Sequence, residues 1–164
     1  MTHYMELLAM NQPWNLIIYM AIPVILAETI AITELYLLYT RNFSTWISKV
    51  SRVVGILLGA YFTIIFVKLL GSAVIPLTQT GGWRGPADVI AVLSYLAGII
   101  PLGGIALLEI GMIKATASKE EKLRLHATFV GIFLVVAHIA MIFGMLDPSL
   151  FSPSQSMPGH TMPM

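Results

Sequence analysis

The chain has 164 residues, of which 57% are hydrophobic and 10% carry a charge, and its mean hydropathy is +0.86. Because soluble domains carry about 25% charged residues, this composition excludes an ordinary water-soluble protein and indicates a membrane protein. The net charge of +1 and the scattered lysines and arginines argue against a nucleic-acid surface. The absence of cysteine excludes disulfides, thiolate metal sites, iron–sulfur clusters and cysteine nucleophiles.

Four apolar stretches are long enough to cross a bilayer, which takes about 20 residues in a helix. They cover residues 16–39, 53–77, 89–113 and 125–146. Since backbone polar groups find no water inside lipid, each stretch must form a helix. The sequence therefore predicts an all-α fold, a bundle of four transmembrane helices over residues 15–147.

Two shorter segments flank this bundle. Residues 1–14 mix apolar, aromatic and polar side chains, which is typical of a segment at the membrane interface. Residues 148–164 are rich in Met and Pro, with one His, and are expected to form a flexible tail. Ser118 and Glu121 have the spacing of a capping box, so we expect the fourth helix to begin near Lys119.

The basic residues between the stretches predict the orientation. Seven lysines and arginines lie in the loops before the second and fourth stretches, against one, Arg84, on the other side. Because cytoplasmic loops carry the excess of positive charge, we expect a multi-pass protein of the cell inner membrane. Both termini are then on the outer, periplasmic side.

The two halves of the bundle resemble each other. Pro23 corresponds to Pro101, Glu34 to Glu109, and residues 54–56 to 130–132, at nearly constant separation. One interpretation is a duplicated two-helix hairpin. The alternative is a chance alignment, because Gly, Pro and Ile are common in membrane helices.

Glycines and prolines mark packing features. Gly55 and Gly59 form a GxxxG motif that permits close helix contact, either inside the bundle or in a homodimer. Pro23 and Pro101 are expected to kink the first and third helices, since proline breaks the helical hydrogen-bond pattern.

Ionisable side chains inside the stretches are candidates for function, because each costs about 2.5–3.5 kcal/mol on insertion scales. Glu28, Lys68 and His138 fall near the middle of three different stretches. If those helices face one another, the three side chains meet in one site. Such a site would act as an ion or proton relay.

Two of these side chains also have a structural explanation. Lys68 has a long aliphatic stem and can extend its ammonium group toward the membrane surface. His138 can be a neutral imidazole that bonds to a neighbouring hydroxyl, such as that of Tyr61, Thr63 or Tyr95.

A second layer lies nearer to the basic loops. Glu34 and Glu109 are level with each other there, and His126 and Arg52 are close to the same level. These two acids extend the relay in one interpretation. In the other, which we favour, they form structural ion pairs with neighbouring arginines and lysines.

A metal site is the hypothesis that we prefer for the first layer. Glu28 and His138 supply a carboxylate and an imidazole from separate helices, a donor pair that suits transition metals. The tail adds soft donors that select Cu(I), namely Met157, His160, Met162 and Met164. Haem is not expected in a monomer, because His126 and His138 lie about 18 Å apart along one helix.

Three segments carry a resemblance to a known group of proteins. They are NQPWN at 11–15, IPVILAETIAITELY at 22–36 and AHIAMIFGMLDP at 137–148. In them the chain resembles uncharacterised small prokaryotic four-span integral membrane proteins that are often labelled permease-like. The resemblance implies the four-span fold and the membrane location, and it implies no mechanism.

Three functions remain open at this stage. The preferred one is a non-enzymatic protein that handles a transition metal, copper among them, or acts as a redox accessory. The second is a small permease or ion channel that uses Glu28, Lys68 and His138. The third is an assembly or anchoring subunit, so a homo-oligomer or a larger membrane complex is an expected partner. No protease, hydrolase or phosphate-loop motif occurs, so an enzyme is less expected.

Overall fold

The computed structural model describes residues 1–113, 116 and 118–148, which form one short helix and four long ones. The short N-terminal helix covers His3–Ala9. The long helices are span 1 (Trp14–Thr40), span 2 (Trp46–Thr80), span 3 (Pro86–Ile110) and span 4 (Lys119–Met145). Each is long and apolar enough to cross a membrane, so the predicted all-α fold with four such helices is confirmed.

Caps explain where the helices begin and end. Span 3 ends at Ile110, earlier than predicted, because Gly111 has a φ of 84° and stops the helix in the left-handed conformation. Span 4 begins at Lys119, where the Ser118 hydroxyl accepts a hydrogen bond of 3.2 Å from the N–H of Glu121. The N-cap bond of the predicted capping box is therefore confirmed.

Prolines coincide with three irregular places in the spans. A π-helical turn precedes Pro23, another precedes Pro76, and span 3 is broken shortly before Pro101. Because proline has no N–H, a carbonyl one turn earlier loses its helical partner and the helix adjusts locally. The two π turns are Ile17–Ala21 and Leu70–Val74, and the break separates Pro86–Ala97 from Ile99–Ile110.

The spans pack in chain order around an apolar core. Span 1 contacts span 2, span 2 contacts span 3, span 3 contacts span 4, and span 4 returns to span 1. Side chains that are almost completely buried fill the middle, namely Ile30, Leu58, Phe62, Leu102 and Ile105. The Phe62 ring packs edge-on against Phe133, with ring centroids 6.2 Å apart.

The bundle has two chemically different ends. The N-terminal helix covers one of them, contacts spans 3 and 4, and buries Tyr4 and Leu8. We call this the N-terminal end. The opposite end, which joins span 1 to span 2 and precedes span 4, is the basic end. The segment predicted to lie at the interface is thus a helix that also packs onto the bundle.

The GxxxG motif forms an internal contact with span 3. A Cβ atom added to Gly55 would lie 3.0 Å from the Ile105 side chain. One added to Gly59 would overlap the Ala106 side chain and lie 2.8 Å from the Leu102 carbonyl oxygen. The motif therefore lets the two helix backbones approach closely.

Gly59→Ala is expected to lower the free energy of unfolding by about 1–3 kcal/mol, because the new methyl group meets backbone that has little room to move. The measurement is a denaturant titration of the full chain in mixed micelles, followed by circular dichroism. Gly103→Ala is the matched control, since no atom lies within 4 Å of its added Cβ. Equal stability of the two variants would contradict the close contact.

Candidate functional site

Four ionisable side chains meet near the basic end, one from each span, and two of them, Glu34 and His126, are buried. Glu34 of span 1 has Oε1 2.5 Å from Nδ1 of His126 in span 4. Glu109 of span 3 has Oε1 3.0 Å from Nε2 of the same ring, and Arg52 Nε of span 2 lies 3.5 Å from Glu109 Oε2. The predicted proximity of these four side chains, which we call the acid–imidazole cluster, is confirmed.

The two inner members of the cluster are deeply buried, Arg52 is exposed, and the cluster is incompletely hydrogen-bonded. Glu34 is 2% exposed and His126 is 3% exposed. The ring N–H at Nε2 is not aligned with Glu109 despite the short distance, and Glu34 Oε2 has no hydrogen-bond partner among the described residues. With both acids ionised and the imidazole protonated, the charges of the four side chains sum to zero. Buried charges are tolerated when they are paired in this way.

Glu28 and His138 line one groove on the side of the bundle. The groove has a volume of about 260 Å³, and Met20, Met141 and Tyr19 also line it. We call it the Glu28 groove. Both ionisable side chains are exposed, and no hydrogen bond or ion pair joins them in the part of the chain that the structure describes. Metal binding by this pair therefore stays a prediction.

Lys68 does not line the groove. Its ammonium nitrogen lies 5.9 Å from the centroid of the Tyr19 ring, a cation–π distance. The groove therefore contains two of the three residues predicted to form a relay, Glu28 and His138. Lys68, the third, lies against the Tyr19 ring, which is part of the groove lining.

His138 is bonded to its own helix. Its Nδ1 lies 2.6 Å from the Leu134 carbonyl oxygen. The predicted hydrogen bond to a hydroxyl does not form among the described residues, because the ring N–H is donated to this carbonyl instead. The three candidate hydroxyls themselves donate to backbone carbonyls; these are Tyr61, Thr63 and Tyr95. With Nδ1–H donated to a carbonyl, Nε2 keeps its lone pair. This arrangement is common for histidines that bind metals.

The tyrosine hydroxyls satisfy carbonyls that the first proline leaves free. Tyr19 lies four residues before Pro23, so its carbonyl has no helical N–H partner. The Tyr95 hydroxyl donates to that carbonyl at 2.6 Å, and the Tyr61 hydroxyl donates to the adjacent Ile18 carbonyl at 2.9 Å. These bonds tie spans 2 and 3 to the π turn of span 1.

A second cavity at the N-terminal end is lined by methionines. Its volume is about 260 Å³. Five of the ten methionines in the chain line it, namely Met1, Met5, Met20, Met141 and Met145. We call it the methionine cavity. Met20, Met141 and Tyr4 line the Glu28 groove as well, so the two spaces adjoin.

The uncharged Tyr4 side chain lines both the Glu28 groove and the methionine cavity. Burial raises the pKa of Tyr4 to about 12, because the phenolate form is poorly solvated there. The phenol therefore stays protonated near neutral pH. The thioethers, His138 and Glu28 are the available metal donors around it.

Carboxylate and imidazole donors alone do not form a metal site in the described ranges. No group of three or more His, Asp or Glu side chains is arranged there to hold an ion. In the acid–imidazole cluster the reason is geometric, since the two acids approach opposite nitrogens of one ring and cannot converge on a single ion with it. The predicted tail ligands Met157, His160, Met162 and Met164 lie outside the described residues.

An anchor for the N-terminal helix was not predicted. Asp88 is fully buried and accepts hydrogen bonds from the backbone N–H of His3 at 2.6 Å and that of Arg84 at 3.2 Å. Nδ1 of the His3 ring lies 2.5 Å from its second oxygen. The available signal was an acid in the first turn of span 3, where the helix dipole favours negative charge.

Comparison with known proteins gives one match. The searches of curated proteins and of solved structures gave no match. Residues 1–160 match the model of a family of unknown function, DUF6803. Because this match covers nearly the whole chain, the protein belongs to that family.

Proposed function

We propose that the protein binds Cu(I) at its N-terminal end, in the methionine cavity and the adjoining Glu28 groove. The observation that carries the proposal is that five of ten methionines, from three separate segments, line one cavity. Thioether sulfur is a soft ligand and selects Cu(I) over harder ions. The cavity thus adds to the metal-handling hypothesis a set of thioether donors that lie far apart in the sequence.

The adjoining groove supplies a further ligand. His138 offers Nε2, and its hydrogen bond to the Leu134 carbonyl holds the ring in the form that donates this lone pair. Glu28, a hard carboxylate, is better suited to balancing the charge of a bound cation than to binding a soft one. Met20 and Met141 line both spaces and are therefore the central thioethers of the proposed site.

The tail extends this role. If it lies on the same side as the N-terminal helix, as the orientation predicts, Met157, Met162, Met164 and His160 can capture Cu(I) and pass it to the cavity by exchange of ligands. That transfer changes no oxidation state and needs no further reactant. The protein is then a non-enzymatic carrier or store of copper ions.

The test is a competition titration of the full chain in detergent under anaerobic conditions, with a chromophoric Cu(I) chelator. We expect an affinity that is roughly micromolar or tighter, as for thioether and imidazole donors. Met20→Leu/Met141→Leu keeps apolar side chains of similar size and is expected to weaken binding at least tenfold. Met112→Leu is the matched control, because Met112 is 73% exposed and lines neither space.

Two results of that titration would contradict the proposal. One is equal affinity of the wild type and the Met20→Leu/Met141→Leu variant. The other is complete loss of binding when only the tail donors are replaced, with Met157, Met162 and Met164 changed to Leu and His160 changed to Gln. The first removes the cavity as a site, and the second assigns all binding to the tail.

The other candidate functions have less support. Ionisable side chains at two levels along the bundle favour a permease or proton channel. However, the fully buried Ile30 lies between Glu28 and Glu34 along span 1. Phe62 and Phe133 pack in the same apolar core. A relay would have to open this layer. The roles as permease or as assembly subunit stay predictions.

A further inference from the structure

A cavity at the basic end has the composition of an anion site. Its volume is about 190 Å³, several times the roughly 30 Å³ that a water molecule occupies in the liquid. Its polar lining consists of Ser48, Ser51, Arg52, Glu109, Lys119, Lys122 and His126. We call it the basic cavity. It lies at the opposite end of the bundle from the methionines, so it is independent of the proposed copper site.

The charge in this lining is positive. Arg52, Lys119 and Lys122 are cationic, and Glu109 is the single carboxylate among the described lining residues. Arg52 already contacts Glu109, with Nε 3.5 Å from Oε2, which offsets that negative charge. Lys119 and Lys122 of span 4 add two further positive charges to the lining.

Two polar side chains of the lining are buried. Ser51 is 5% exposed, and no hydrogen bond like those that the Thr63 and Thr128 hydroxyls donate to the carbonyl four residues earlier is found for it in the described chain. His126 is 3% exposed, and its Nε2 lies 3.0 Å from Glu109 Oε1. The Ser51 hydroxyl is therefore a donor that a bound anion could accept from, whereas His126 is already paired with the two acids.

We propose that the basic cavity binds a phosphate group. A tetrahedral anion with several acceptor oxygens matches the two lysines and the serine hydroxyls that line one space. The group comes either from the headgroup of an anionic lipid or from free inorganic phosphate. Basic cavities between membrane helices are known sites for such headgroups, and this one lies at the ends of spans 2 and 4.

The test measures thermal unfolding of the delipidated full chain in two arms. One arm adds inorganic phosphate, with sodium chloride at the same ionic strength as reference. The other adds micelles containing phosphatidylglycerol, with phosphatidylcholine as reference. We expect a higher midpoint in at least one arm. Stabilisation by phosphatidylglycerol alone identifies a headgroup site, and stabilisation by phosphate identifies a site for the free ion. No shift in either arm overturns the proposal.

Variants separate a specific site from general charge attraction. Lys119→Gln/Lys122→Gln is expected to weaken binding of the active probe about 25-fold, since each lysine contributes about fivefold near an anionic group. Ser51→Ala is expected to weaken it about tenfold. Lys49→Gln is the control, because Lys49 is exposed on the same helix as Ser51 and does not line the cavity. An equal loss with Lys49→Gln would contradict a built site.

Discussion

His126→Leu is expected to lower the free energy of unfolding by about 3–5 kcal/mol, the typical cost of removing one partner from a buried charge pair. The imidazole contacts Glu34 at 2.5 Å and Glu109 at 3.0 Å. Without it, the 2%-exposed Glu34 has no partner and must be buried either uncompensated or protonated. The measurement is a denaturant titration in mixed micelles with tryptophan fluorescence.

Two further variants test the cause of this loss. His138→Leu is the matched control and is expected to change stability by less than about 0.5 kcal/mol, because His138 is exposed and bonds to its own helix. Glu34→Leu/His126→Leu should recover much of the lost stability, since removing both charges also removes the desolvation cost. A His126→Leu variant as stable as the wild type would show that the cluster does not hold the spans together.

Asp88→Ala is expected to release the N-terminal helix from the bundle. The carboxylate accepts two backbone N–H groups and contacts the His3 ring, and hydrogen bonds to a charged group contribute about 1.5–3 kcal/mol each. We expect amide hydrogen exchange over His3–Ala9 to become at least about 100-fold faster, a change of 2.7 kcal/mol or more. Exchange detected by mass spectrometry in detergent measures this directly.

Glu6→Gln is the control for that experiment. Glu6 pairs with Arg84 at 2.5 Å, but both side chains are about two-fifths exposed, so the pair contributes at most about 1 kcal/mol. Exchange over the N-terminal helix should rise less than about fivefold. If Glu6→Gln and Asp88→Ala have the same effect, the buried carboxylate is not the anchor.

The fold was predictable because the apolar stretches and their breaks are local properties of the sequence. Four runs longer than the bilayer thickness leave a helical bundle as the only arrangement. Ser118 is a local capping signal, and it was sufficient to predict where span 4 begins. The acid–imidazole cluster was predictable to the extent that Glu34, Glu109 and His126 share one level along their helices, and a shared level needs only the rise per residue.

The remaining features depend on which helix faces meet. Asp88 is bonded to His3 across the chain, and nothing near either residue in sequence indicates this contact. The methionines of the cavity come from the N-terminal helix region, span 1 and span 4, so their convergence requires the packing of all three. His138 bonds to the Leu134 carbonyl of its own helix and not to a hydroxyl on another helix. The sequence around His138 does not distinguish between these two kinds of acceptor.

The proposed copper site has thioether ligands inside the bundle, and this is directly measurable. X-ray absorption at the copper edge, on the full chain loaded with one equivalent of Cu(I), identifies the ligand atoms. We predict sulfur scattering that persists when Met157, His160, Met162 and Met164 are replaced and that is lost in Met20→Leu/Met141→Leu. Scattering from nitrogen and oxygen alone, or sulfur scattering that disappears with the tail donors, would contradict a copper site inside the bundle.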